Sequence, residues 1–88
     1  MNHKCHARHC EKNIPPELLM CYSHWKRIPK HIQAAVWRHY RNGQCDDKNP
    51  SQAWHHAADA AIAYIAKLEG YPVSPIEEKA YQASKEWL

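Results

Sequence analysis

Four side chains able to ligate a metal stand in two close pairs near the start of this 88-residue chain: Cys5 and Cys10, separated by four residues, then Cys21 and His24, separated by two. Zinc takes four such ligands in a tetrahedron, and pairs carried on tight turns present two ligands each without a large core. The pairs constrain the fold because so short a chain buries a smaller share of its surface than a larger domain does, so a metal or disulfides must help to hold it. The sequence predicts one domain, 1–88, in which residues 1–28 form a zinc-binding knuckle and residues 29–88 a helical part.

The choice between metal and disulfides turns on the compartment. No apolar run reaches the roughly eighteen residues of a membrane span, and the amino terminus is polar and rich in Cys and His, without a secretory apolar stretch. A cytoplasmic location is expected, and there thiolate ligands are favoured over disulfides. The ten residues between the two pairs have room for a turn and a short hairpin strand, so the expected layout is treble-clef or knuckle-like around one structural Zn2+. His3, His6 and His9 sit beside the first pair and can compete for the ion. A complete set exists without them, so they are read as an exposed basic turn. Cys45 stands away from both pairs and is read as a free thiol.

Beyond the knuckle the fold class is mainly α. Pro15-Pro16 imposes an extended or turn conformation ahead of Leu18-Leu19-Met20, a short apolar run suited to a strand that delivers Cys21. Residues 21–27 suit a short helical turn that puts Cys21 and His24 on one side. Three helices should follow, over about 29–42, 51–69 and 75–87. Pro29 and Gly43 bound the first, Ser51 and Gly70 the second, and Ser74-Pro75 with Glu77 open the third as a capping box. Their expected apolar faces are Ile32, Ala35, Val36 and Tyr40; then Trp54, Ala58, Ala61, Ile62, Ile65 and Leu68; then Ile76, Ala80, Ala83, Ser84 and Trp87.

The formal charge of +3 hides an asymmetry: residues 1–43 carry net +6 and residues 44–88 net −3. The basic half is the half with the ligand pairs, which points to a polyanion. On the predicted helix 29–42, Lys30, Trp37, Arg38 and Arg41 lie opposite the apolar face, and Lys26 and Arg27 precede it. Cations that neutralise phosphates beside an aromatic plane that stacks on a base are the marks of DNA or RNA binding. His55, His56 and Asp59 invite an enzyme reading, but they lack a third ligand and a general base, and Gly43 and Gly70 are too few for a phosphate loop. No catalytic residue is assigned, and the four-ligand site leaves no open position for a reacting water. The protein is not expected to be an enzyme.

The run Cys5-His-Ala-Arg-His-Cys10, Ile14-Pro-Pro-Glu-Leu-Leu-Met-Cys-Tyr-Ser-His-Trp25, Ile28-Pro-Lys30 and Val36-Trp-Arg-His-Tyr-Arg-Asn-Gly-Gln44 resembles a group of small, mostly uncharacterised phage and prophage proteins. The similarity continues weakly to about residue 66. It implies a phage origin and a shared zinc-binding pattern at Cys5, Cys10, Cys21 and His24, and no established activity. Asn42 stands where similar sequences often have Pro, and Cys45 looks particular to this chain. Two roles follow from such an origin: a regulatory accessory protein that touches nucleic acid, or a host-takeover protein that binds and inhibits a host protein. If the chain self-associates, a C2 dimer through the last helix is the default.

Overall fold

The computed structural model of the chain describes residues 3–7, 10–15, 18–40 and 52–87. Two two-residue strands, β1 (His3–Lys4) and β2 (Asn13–Ile14), pair antiparallel with His3 opposite Ile14 and Lys4 opposite Asn13. The Cys5 amide prolongs the ladder by donating to Lys12 O at 2.9 Å, and the Cys10 amide closes a turn on Ala7 O at 3.2 Å. The first ligand pair thus sits in the connection of a small hairpin.

Leu18-Leu19-Met20 is not a strand. The Leu18 amide turns back on Pro15 O, and residues 19–20 run as a bend whose Leu19 and Met20 side chains are buried. The run is apolar because it inserts into the core, and His6 N–H donates to Leu19 O at 3.1 Å in a ladder-like contact. Apolar content alone does not separate a buried bend from a strand.

Helix α1 (Tyr22–Trp25) follows with Cys21 as its N-cap residue, and α2 (Lys30–Arg38) begins after Pro29. Gln33 Nε2 donates to Trp25 O at 2.8 Å and fixes the turn between them. Ile32, Ala35 and Val36 are buried as their spacing requires. The helix stops at Arg38, short of the expected residue 42. His39 leaves helical geometry at φ −97°, ψ 1°, and the Tyr40 amide takes the tighter i to i−3 bond to Trp37 O. Gly43 and Ser51, the boundary residues expected from sequence, lie outside the described residues.

Helix α3 (Gln52–Glu69) is the spine of the molecule and packs on both α2 and α4 (Pro75–Ser84). Contact on two sides explains why Ala57, Ala60, Ala63 and Ala66 are buried in addition to the expected Ala58, Ala61 and Ile65. Leu68 and Ile76, placed on the apolar faces by their spacing, are instead 54% and 72% exposed. At the end of α3, Gly70 takes φ 80°. The Tyr71 amide then reaches Ala66 O at 2.8 Å and the Gly70 amide Lys67 O at 3.3 Å, a Schellman closure. The capping box of α4 is present in both directions: Glu77 N–H donates to Ser74 Oγ and Ser74 N–H to Glu77 Oε1, each at 3.2 Å.

The buried residues form a continuous cluster that runs from Cys5, Ile14 and Met20 through Ile32 and Val36 to Ile65 and Ala80. Among the described residues, no helix is long and apolar enough to cross a membrane.

Candidate metal centre

The hairpin presents Cys5 and Cys10, and the first turn of α1 presents Cys21 and His24. Their ligand atoms all lie within 4.8 Å of one another, which makes them a group that could hold one metal ion. His24 Nδ1 is the ring nitrogen turned to the sulfurs, 3.2 Å from Cys21 Sγ and 3.6 Å from Cys5 Sγ. Cys10 Sγ lies 4.0 Å from Cys21 Sγ, about twice the ~2.05 Å length of a disulfide bond, and all three described cysteines are free thiols. Cys5 and Cys21 are buried and Cys10 is half-buried.

The polar groups around the sulfurs divide them. Burial pushes the Cys5 thiol up to about 11; the Cys21 and Ala7 amides oppose that rise, and the Cys10 and Cys21 sulfurs add to it. At Cys21 burial also pulls upward, but it is outweighed by hydrogen bonds from the Ser23 hydroxyl, 3.3 Å away, the His24 amide, the His24 ring and Cys5, which bring the thiol down to about 6. One thiolate is therefore readily formed, whereas crowding a second negative sulfur beside it is unfavourable unless a cation sits between them.

Behind the histidine lies a carboxylate that no local pattern announced. His24 Nε2 lies within hydrogen-bond reach of Glu69 Oε2 at 3.3 Å, and Arg27 Nη1 lies 3.5 Å from the same oxygen. Glu69 is the last residue of α3 and lies 45 residues from His24 in sequence. No motif scan spans that separation.

Among the described side chains, no other histidine joins this set. His6 is exposed, His9 lies outside the described residues, and of His3 only the backbone is described. His55 and His56 are exposed on α3, with His56 set against Trp87 at 5.7 Å between ring centroids. Asp59 is half-buried; burial and then Glu77 raise its pKa, and His55 and His56 counter only part of the rise. Among the described residues, the Cys5, Cys10, Cys21 and His24 group is the one set of three or more ligand-type side chains drawn together. Cys45 lies outside the described residues.

Of the cations and the aromatic residue expected to meet nucleic acid, Trp37 lines one groove and Arg38 another. Trp37 is 44% exposed and packs edge-on against Trp25 at 6.5 Å and Tyr40 at 5.5 Å. With Leu18, Met20, Tyr22, Trp25 and Val36 it lines an apolar groove of about 200 Å³. Tyr22 on the rim is 78% exposed, and Lys26 Nζ lies 5.6 Å above its ring. Lys30 is exposed two turns before Trp37 on the same side of α2. Arg38 instead faces a separate groove with His31, His39, His56 and Trp87. Arg27 is engaged with Glu69, and Arg41 lies outside the described residues. Sequence reasoning singled out Trp37 and the lysines but did not anticipate Tyr22 beside them or the groove, which only the return of α2 across the knuckle creates.

No family model, curated protein or solved structure matches this chain. Its function has to follow from geometry and chemistry alone.

Proposed function

We propose that this protein is a non-catalytic module built around one structural Zn2+ held by Cys5, Cys10, Cys21 and His24, and that it binds single-stranded nucleic acid across the groove beside Trp37. The identity of the metal rests on the donor set and its spacing. A tetrahedron with Zn–S bonds of about 2.3 Å has sulfur–sulfur edges of about 3.8 Å, and the ligand atoms already stand 3.2 to 4.0 Å apart in the pairs nearest one another. Three thiolates and one imidazole suit Zn2+ and leave it no open position, which argues for structure rather than catalysis. One pair from a hairpin turn and one from the start of a helix is the ligand arrangement of a treble clef.

The observation that carries the nucleic-acid reading is the groove itself. Two exposed rings, Tyr22 and Trp37, flank an apolar slot of about 200 Å³, enough for a single base; Lys26 sits over the Tyr22 ring and exposed Lys30 lies two turns before Trp37, both in the net +6 half of the chain. Stacking on an aromatic plane contributes about 1–3 kcal/mol per base, and lysines beside it neutralise phosphates. Arg38 on the neighbouring groove can extend the binding surface along the strand.

Fluorescence anisotropy with short labelled single strands and the matching duplex tests this. Binding should favour the single strand and fall with added salt. Replacing Lys26 and Lys30 by Ala should flatten the log–log salt slope by about 0.7 for each phosphate no longer neutralised. Trp37→Ala should weaken the single strand more than the duplex. Absence of binding at about 50 mM salt, where such electrostatic attraction is strongest, rejects the reading. The apolar walls of the groove favour one second reading, insertion of an apolar side chain from a host protein, whose affinity should respond far less to salt.

A further inference from the structure

We infer that Glu69 is the positioning residue of the metal centre, a carboxylate that fixes the tautomer and orientation of His24 from the far end of α3. The inference rests on the metal reading above and extends it to a residue outside the ligand set.

The geometry is specific at each step. His24 turns Nδ1 to Cys21 and Cys5, so its other nitrogen, Nε2, must carry the proton if Nδ1 is to offer a lone pair. Glu69 Oε2 sits 3.3 Å from Nε2 and accepts that proton's hydrogen bond. The pair is sheltered, with the His24 side chain 15% exposed and Glu69 25% exposed. Arg27 Nη1 pairs with the same carboxylate oxygen at 3.5 Å. Arg27 and His24 come from one short segment and Glu69 from another, so the bonds tie the knuckle to the carboxyl end of α3.

A second observation points the same way. Glu69 closes α3, where the partial negative charge of the last carbonyls disfavours a carboxylate. The backbone there needs no help from it, because the Schellman closure at Gly70 and Tyr71 already satisfies two carbonyls. A residue that breaks a local preference without serving its own helix is explained by the partner it reaches. Carboxylates that orient a ligating histidine raise its basicity, and their loss typically weakens metal binding by about 10–100-fold.

The test is zinc competition against a chromophoric chelator, on the full chain and with circular dichroism of each variant as a check of folding. Glu69→Ala should weaken zinc binding about 10–100-fold. Glu69→Gln, which keeps a neutral acceptor in the same place, should lose less. The decisive comparison uses His24→Cys, which replaces the imidazole by a thiolate that has no second nitrogen to orient. In that background Glu69→Ala should cost nothing further. Equal losses in both backgrounds would reduce Glu69 to a packing residue, and zinc binding unchanged by Glu69→Ala would overturn the inference outright; either result leaves the metal centre standing. A wild-type chain that takes up no zinc would overturn the metal centre and the inference together.

Discussion

Asp59 shows how one side chain can work against the fold that holds it. Burial and the Glu77 carboxylate on α4 raise its pKa, and the two neighbouring histidines do not restore it. A carboxyl whose folded pKa lies above its unfolded one favours the folded state below the unfolded value, and that contribution is lost as pH rises through the folded value. Asp59→Asn should therefore raise the melting temperature at about pH 8, and the gap from wild type should narrow at a mildly acidic pH as the wild-type carboxyl takes up its proton. The gain should be small, because the carboxylate is partly solvated. Thermal melts of the two proteins at both pH values check the sign. The ligand set was legible at this scale, since each pair is set by a turn of a few residues. Glu69 was not, since its role depends on how α3 ends beside α1.

At the scale of elements, local signals were strongest where the backbone itself is recognised. Ser74, Pro75 and Glu77 announced the start of α4, and Gly70 the end of α3; both closures are present in detail. Ser74→Ala should cost about 1 kcal/mol, as typical for loss of an N-cap oxygen. Gly70→Ala meets no neighbouring atom within 4 Å, so its cost should come from the backbone alone, about 1–2 kcal/mol for an L residue at φ 80°. Urea denaturation midpoints measure both, with unchanged m-values expected. Between α3 and α4, Lys67 Nζ bonds Glu78 Oε1 at 2.6 Å and also lies 4.9 Å above the Tyr81 ring, an arrangement that helix patterns alone do not specify. Helix periodicity misplaced Leu68 and Ile76 because it reports which residues share a face, and not which part of that face a neighbour covers.

Over the whole molecule, the buried cluster joins the knuckle to the helices, so metal and fold should be linked beyond residues 1–28. Structural zinc contributes about 10–16 kcal/mol in small finger peptides, comparable with the ~5–15 kcal/mol stability of an ordinary domain. Elemental analysis should find about one zinc per chain, as a single four-ligand site requires. A strong chelator should lower the melting temperature sharply, and Cys10→Ser or Cys21→Ser should reproduce that loss while Cys45→Ser does not. A folded wild-type chain that holds no metal and ignores chelation would contradict this.

The sequence by itself determined what lies within a few residues: the two candidate ligand pairs, the boundaries at Pro29 and Gly70, the capping box and most members of the apolar stripes. These follow from backbone sterics and short-range periodicity, which read the same in any context. Only the tertiary structure decided that the two ligand pairs converge, that α3 is covered on two sides, that Leu18-Leu19-Met20 turns inward as a bend, and that Glu69 meets His24. Those outcomes depend on where separate elements come to rest, and that is set by the packing of a shared core.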